Sequence, residues 1–486
     1  MANVLEQVVP DLYRDQCWIN GEWVSERGRR VLEVTNPADG SVIGEIPNLG
    51  PADVKAAIDA ASAAFRTWRK TTAAERADVL DRWYREILAC KRELATVLML
   101  EQGKPLAEAL GEIQISADYV RWFAEEARRV AGEVIASPWP GQQLLVLKQP
   151  VGVCAAITPW NFPSSMVTRK LAPALAAGCT VVLKPAETTP FSALALGVLA
   201  ERAGVPAGVI NIVTGDAAPI GEALCADPVV RKISFTGSTH VGRLIAAQCA
   251  PTIKRLSLEL GGNAPFIVFD DADIEAAVQG LMISKFRNTG QTCVCANRVY
   301  VHAGIYDAFA QALAQAVDKL IVGNGDAEGV TQGPLINSRA LEKVEEYVQD
   351  ALDHGGTLLR GGRPHSAGGT FYEPTIITNV SRQARMAREE IFGPVAPLYR
   401  FESEAELLEM VNDTEFGLAA YVYTQSQPRM LRMMESIECG MVAINSGLMT
   451  TVSAPFGGVK QSGLGREGGR QGIDEYLDEK YICIAP

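Results

Sequence analysis

The sequence predicts an α/β protein built on parallel sheets with helices on both faces. Three observations carry that prediction. From Val151 onward, short and nearly uncharged apolar runs alternate with amphipathic stretches. Strands buried on both faces have this texture, because helical crossovers cover both sides of the sheet. The runs come in two successive series, so two sheets are expected. One segment, residues 132–150, belongs to neither series.

Taken in order, "PADVKAAIDAASAAFRTWR" (51–69) and "AAERADVLDRWYREILACKRELATVLMLEQGK" (73–104) carry apolar residues at three- and four-residue spacing, which predicts helices. Residues 132–150 show two β-like runs around Pro138, Pro140 and Gly141, the pattern of a hairpin. The first strand–helix series starts at "GVCAAITPWN" (152–161) and passes through "TVVLKPAE" (180–187), "GVINIVTG" (208–215) and "RKISFTGS" (231–238). It ends at "KRLSLELGG" (254–262). The second starts at "APFIVFDD" (264–271) and runs through "RVYVHAG" (298–304), "APLYRF" (396–401), "GLAAYVYTQ" (417–425) and "GMVAINS" (440–446). The final "YICIAP" (481–486) predicts one more strand. A projecting hairpin with a terminal strand points to subunit assembly.

Composition narrows the function classes. The 486 residues carry a net charge of −12, which argues against a nucleic-acid backbone as partner. There is no basic segment followed by an apolar core at the start and no run of 18 apolar residues, so neither a signal peptide nor a membrane span is expected. The ten cysteines are scattered and do not form a disulfide framework, which fits a reducing cytoplasm or a mitochondrial matrix. With four histidines and no H-E-x-x-H, C-x-x-C or G-x-S-x-G pattern, zinc hydrolysis and Ser-His-Asp chemistry are not expected. The C-x-C at Cys293 and Cys295 offers two ligands without a second pair, so no metal is expected.

Five stretches offer other chemistry. In "SFTGSTHVG" (234–242), Gly237 and Ser238 lie between a strand and a helix, where backbone amides can bind a pyrophosphate; an ordinary turn has the same look. In "VLKPAE" (182–187), Lys184 and Glu187 follow a parallel strand, the end at which open α/β sheets bind ligands. A carboxylate there can accept from both ribose hydroxyls and repels a 2′-phosphate. A solvated Lys184–Glu187 ion pair is the equal alternative. "FRNTGQTCVCANR" (286–298) presents Cys293 after small and amide-bearing residues, as a nucleophile or as a structural thiol; activation needs a positive or dipolar neighbourhood. "LELGGN" (258–263) sets Glu259 among apolar residues, where desolvation raises a carboxyl's pKa and fits it as a general base. "TPWNFP" (158–163) holds Asn161 between prolines, a fixed amide that can stabilise an oxyanion.

"TPWNFP", "KPAE", "FTGS", "LELGGN", "GQTC", "EEIFGPV" (389–395) and "PFGGVKQSGLGREGG" (455–469) together resemble, in this order and spacing, the aldehyde dehydrogenase superfamily. The resemblance implies a Rossmann-like NAD-binding domain with a five-stranded sheet (1–131 and 151–259), an α/β catalytic domain (260–460) and a β-hairpin oligomerisation arm (132–150 and 470–486) joining dimers or tetramers. It implies Cys293 as nucleophile, Asn161 with the Cys293 amide as oxyanion donors, and Glu259 as the base that hydrolyses the thioester. Around the cofactor it places Trp160, Lys184, Glu187, Gly237, Ser238, Glu390 and Phe392. Glu187 favours NAD over NADP.

Within that superfamily, Arg169 in "MVTRKL" and Arg287 in "KFRNTGQTC" resemble the carboxylate-binding arginines of succinate-semialdehyde dehydrogenases. Both could instead be surface or interface ion pairs. That subfamily usually presents a serine before "PFGG"; here Thr450 takes the place, which keeps glutarate semialdehyde as a rival substrate. Cys295 is a possible disulfide partner for Cys293. A CoA-acylating relative would lack the base at Glu259. A silent structural protein would have lost Cys293, Glu259 or Asn161. A thiol sensor without dehydrogenase activity would leave the cofactor residues without a use.

Overall fold

The computed structural model describes residues 4–25 and 30–485. Two mainly parallel sheets and one small antiparallel sheet organise the chain, with a two-stranded ribbon near the N-terminus. In the first large sheet, five parallel strands stand in the order Arg255–Glu259, Val230–Thr236, Val153–Ile157, Thr180–Lys184, Ile210–Ile212. These are the strands expected from the first series. Short antiparallel strands extend it, Gly463–Leu464 at one edge and Cys17–Ile19 with Glu22–Val24 at the other. The sequence reading had only helices in this first third; three-residue edge strands carry too little periodicity to register.

Val153–Ile157 is first in sequence yet central in space, so the chain departs from it in both directions. The crevice beyond the carboxyl ends of Val153–Ile157 and Val230–Thr236 is therefore a topological switch point, the place where such sheets bind ligands. Residues 158–161 and Gly237–Ser238 sit there.

The second sheet orders Thr357–Arg360, Thr375–Thr378, Val395–Phe401, Ala296–His302, Ala264–Val268, Ala419–Tyr423 and Met441–Ile444, all parallel except the first. Its central strands are fully buried. The hairpin forms as Glu133–Ile135 against Gln143–Pro150. The terminal strand, longer than "YICIAP" indicated, is Leu477–Ile484 and pairs along the whole of Gln143–Pro150. No helix among the described residues is long and apolar enough to cross a membrane.

Candidate active site

Cys293 follows a backbone that few sequences would choose. Asn288, Thr289 and Gly290 are consecutively left-handed, with φ of 51°, 56° and 74°. For a β-branched threonine this is a genuine outlier, and each such residue costs about 1–3 kcal/mol. The surroundings hold it. Glu108 Oε2 accepts from the Asn288 amide at 2.8 Å, the Thr289 hydroxyl donates to the Gly333 carbonyl at 3.1 Å, and Gln291 Oε1 accepts from the Ile336 amide at 3.0 Å. Gly290 has no substitute: a Cβ there would strike the Gly393 carbonyl.

The loop brings Cys293 to the junction of two cavities. Met166 and Cys293 line both. The smaller, about 310 Å³, is walled by Tyr119, Phe162, Arg169, Arg287, Thr450 and Phe456 among others. The larger, about 730 Å³, contains Trp160, Asn161, Gly237, Ser238, Glu390 and Phe392. The structure thus gathers all three expected substrate-side residues in one cavity and six expected cofactor or oxyanion residues in the other. Lys184 and Glu187 lie outside both; they form the ion pair weighed as the alternative, at 2.6 Å, with the lysine buried and the glutamate 34% exposed.

The larger cavity fits a dinucleotide. It opens at the start of helix Thr239–Cys249, where Ser238 caps the Val241 amide. The Thr236 hydroxyl lining it is buried without a partner. Trp160 and Phe392 meet edge to face at 5.5 Å. Glu390 accepts from the Gly262 amide at 3.2 Å, and burial pushes its carboxyl up to about 7. Helix-start amides, a carboxylate and aromatic faces are the donor set that a pyrophosphate, ribose and nicotinamide would need.

Glu259 ends the strand Arg255–Glu259 and is buried, with Oε2 lacking a hydrogen-bond partner. Burial first, and the nearby Glu467 charge second, raise its pKa well above the usual carboxylate range. Burial likewise pushes the Cys293 thiol up to about 12, although Arg169 and Arg287 pull the other way. The two guanidinium groups supply the positive neighbourhood that activation needs, and desolvation opposes them. Asn161 is buried, and its amide nitrogen donates to the Gln291 carbonyl at 3.0 Å, leaving a second N–H.

The two arginines differ. Arg169 is buried with Nε 2.6 Å from Glu467, and its guanidinium lies 4.2 Å from the Phe456 ring centroid. Lys170 pairs with the same glutamate. Arg169 is therefore ion-paired, but in the interior and facing the cavity, not at the surface. Arg287 stacks 5.3 Å from the Phe162 ring. Glu467 lies inside "GLGREGG", and nothing local in the sequence tells which cations it meets. Cys295 lines neither cavity: its sulfur is buried 3.5 Å from the Lys285 carbonyl, and both cysteines are free thiols. Among the described residues no group of three or more His, Cys, Asp or Glu is placed to share a metal.

Residues 23–482 match the model of the aldehyde dehydrogenase family. The chain belongs to that family. It is 55% identical over 474 residues to the NADP(+) succinate-semialdehyde dehydrogenase of Escherichia coli K12, covering 98% of each chain. It is 54% identical over 473 residues to the glutarate-semialdehyde dehydrogenase of Pseudomonas aeruginosa, covering 97% of this chain and 98% of the other. Among solved structures, succinate-semialdehyde dehydrogenase from Burkholderia pseudomallei superposes with a TM-score of 0.97 at 56% identity, over 98% of this chain and 99% of that one. The aldehyde dehydrogenase fold expected from the motifs is the fold observed.

Proposed function

We propose that this aldehyde dehydrogenase oxidises an aldehyde with a carboxylate at its far end, succinate semialdehyde first and glutarate semialdehyde as the rival, with NAD. The observation that carries the reading is Cys293 at the meeting point of two cavities, one with cationic walls and one with a dinucleotide's donor set. Relatives named for both semialdehydes support the class.

Arg287 then receives the substrate carboxylate, with Thr450 and Arg169 on the same wall. A guanidinium takes a carboxylate through two parallel hydrogen bonds. This orientation sets the aldehyde carbon against Cys293. As sulfur attacks, its proton has to leave, because burial holds the resting thiol neutral. Glu259, desolvated and strongly basic once ionised, is the acceptor. The spare Asn161 N–H and the Cys293 backbone amide hold the oxyanion of the thiohemiacetal. A bound nicotinamide supplies the hydride acceptor. Glu259 passes the thiol proton to solvent and, ionised again, takes one from the water that attacks the thioester; the C–S bond then breaks and the leaving Cys293 sulfur recovers a proton from Glu259. Glu187, held by Lys184, accepts from the adenosine ribose and disfavours a 2′-phosphate, so NAD is preferred even though several relatives are named for NADP. The three-stranded sheet, with Val134, Trp139 and Tyr481 exposed, joins subunits into a dimer or tetramer, which light scattering on a sizing column tests.

The deciding experiment compares initial rates on succinate semialdehyde, glutarate semialdehyde and butanal, each with NAD and with NADP. One charged contact contributes about 1.5–3 kcal/mol, so the acids should lead butanal by at least about tenfold in kcat/KM. Equal rates on butanal would overturn the carboxylate reading.

A further inference from the structure

Lys104 is fully buried beside the oxyanion asparagine, and the chemistry above does not use it. It follows Gly103, whose left-handed φ of 89° ends helix Lys91–Gln102 and turns the chain inward. An ammonium has three donors, and Lys104 places its charge against three acceptors. Nζ lies 2.6 Å from Glu112 Oε2, 2.9 Å from the Asn161 carbonyl oxygen and 4.0 Å from the Phe162 ring centroid. The other oxygen of Glu112 accepts from the Ser164 and Ser165 amides at 3.0 and 3.1 Å. The buried pair therefore grips residues 161–165 at both ends. Asn288 adds a second donor to the Asn161 carbonyl at 3.0 Å. Turning the Asn161 peptide would break both contacts on its carbonyl and redirect the side-chain amide.

We propose that Lys104, seated on Glu112, is a positioning residue that fixes the Asn161 amide in its oxyanion-binding orientation. This rests on the role given to Asn161 above. Lys104 also lines the smaller cavity, but its two hydrogen bonds go to Glu112 and to the Asn161 carbonyl, so it acts through the backbone of Asn161. A lysine that merely filled space and answered a buried carboxylate would affect folding alone.

The test is a double-mutant cycle on the first turnover, followed as reduced nicotinamide formed with succinate semialdehyde and with the form deuterated at the aldehyde carbon. Asn161→Ala should slow the burst by about 10²–10³-fold. Lys104→Met should slow it by up to about 10²-fold, the scale of a misplacement near 1 Å, with a larger deuterium effect and an unchanged Kd for NAD. In the double variant the two losses should not multiply: Lys104→Met adds little once Asn161 is alanine. Fully multiplicative losses, or an unchanged burst in Lys104→Met, overturn the proposal. If Lys104→Met does not fold, Glu112→Gln, which keeps an acceptor for the two serine amides but removes the ammonium's seat, is put through the same cycle with the same criteria. An unchanged burst in Asn161→Ala refutes instead the role of Asn161 on which the proposal stands.

Discussion

On the cofactor side of Cys293, the walls come from short runs of neighbours: Trp160 with Asn161, Gly237 with Ser238, Glu390 with Phe392. On the substrate side, charges are matched across long separations. Glu467 answers Lys170 from 297 residues away, and Asn288 takes its backbone partner Glu108 from 180 residues away. A cofactor site needs backbone amides and close approach, which local glycine-rich turns supply. A charged pocket in a dry interior needs every charge answered, and the answer can come from any part of the chain.

The largest test of this division is at the junction itself. Cys293→Ala should lower turnover by more than about 10³-fold, as expected when an essential nucleophile is lost, while NAD binding measured by fluorescence quenching stays intact. Loss of NAD affinity as well would mean the two cavities are not separable. The arginines come next. Arg169→Ala leaves Glu467 answered only by Lys170, and stability should fall by about 3 kcal/mol, read as a lower urea midpoint, with similar losses on acidic and neutral aldehydes. Arg287→Ala should spare stability and cost kcat/KM about 10- to 150-fold on the acidic substrates alone. Exchange of these two signatures would reverse the roles assigned here.

Acidity gives a smaller effect. Because the Glu259 carboxyl is raised above its ordinary range, it keeps its proton at low pH and gains basicity only as pH rises. The rate should therefore climb with pH on the alkaline side of ordinary carboxylate titration. Glu259→Gln should leave a lower profile without that limb; an unchanged limb assigns it to another group. Smallest is Glu187→Ser, which removes a charge that is one-third exposed and partly screened. It should shift the NAD-to-NADP ratio by about tenfold towards NADP. No shift would place cofactor choice elsewhere in the adenosine site.

The same contrast explains what could be learned from residues alone. The two strand–helix series located the parallel strands of both sheets except Thr375–Thr378, and Cys293, Asn161, Glu259 and Ser238 stood out by their local chemistry, whereas Glu390 was marked only by the family resemblance. Lys104, Glu112 and Glu467 did not stand out. Each is an ordinary charged residue in an ordinary stretch, and only the fold reveals that it is buried and which charge it meets. The elevated thiol of Cys293 escaped for the same reason, since desolvation depends on what packs above the loop.

The edge strand Gly463–Leu464, the partner acid Glu467 and the strand Leu477–Ile484 all return to elements made early in synthesis. On the ribosome, Arg169 and Lys170 emerge hundreds of residues before the carboxylate that neutralises them. The hairpin strand Gln143–Pro150 likewise waits with an open edge until Leu477–Ile484 is made. Nascent chains of this enzyme therefore carry two buried-type cations and one hairpin strand with an open edge through most of translation, and that edge is a defined place for a chaperone to cover.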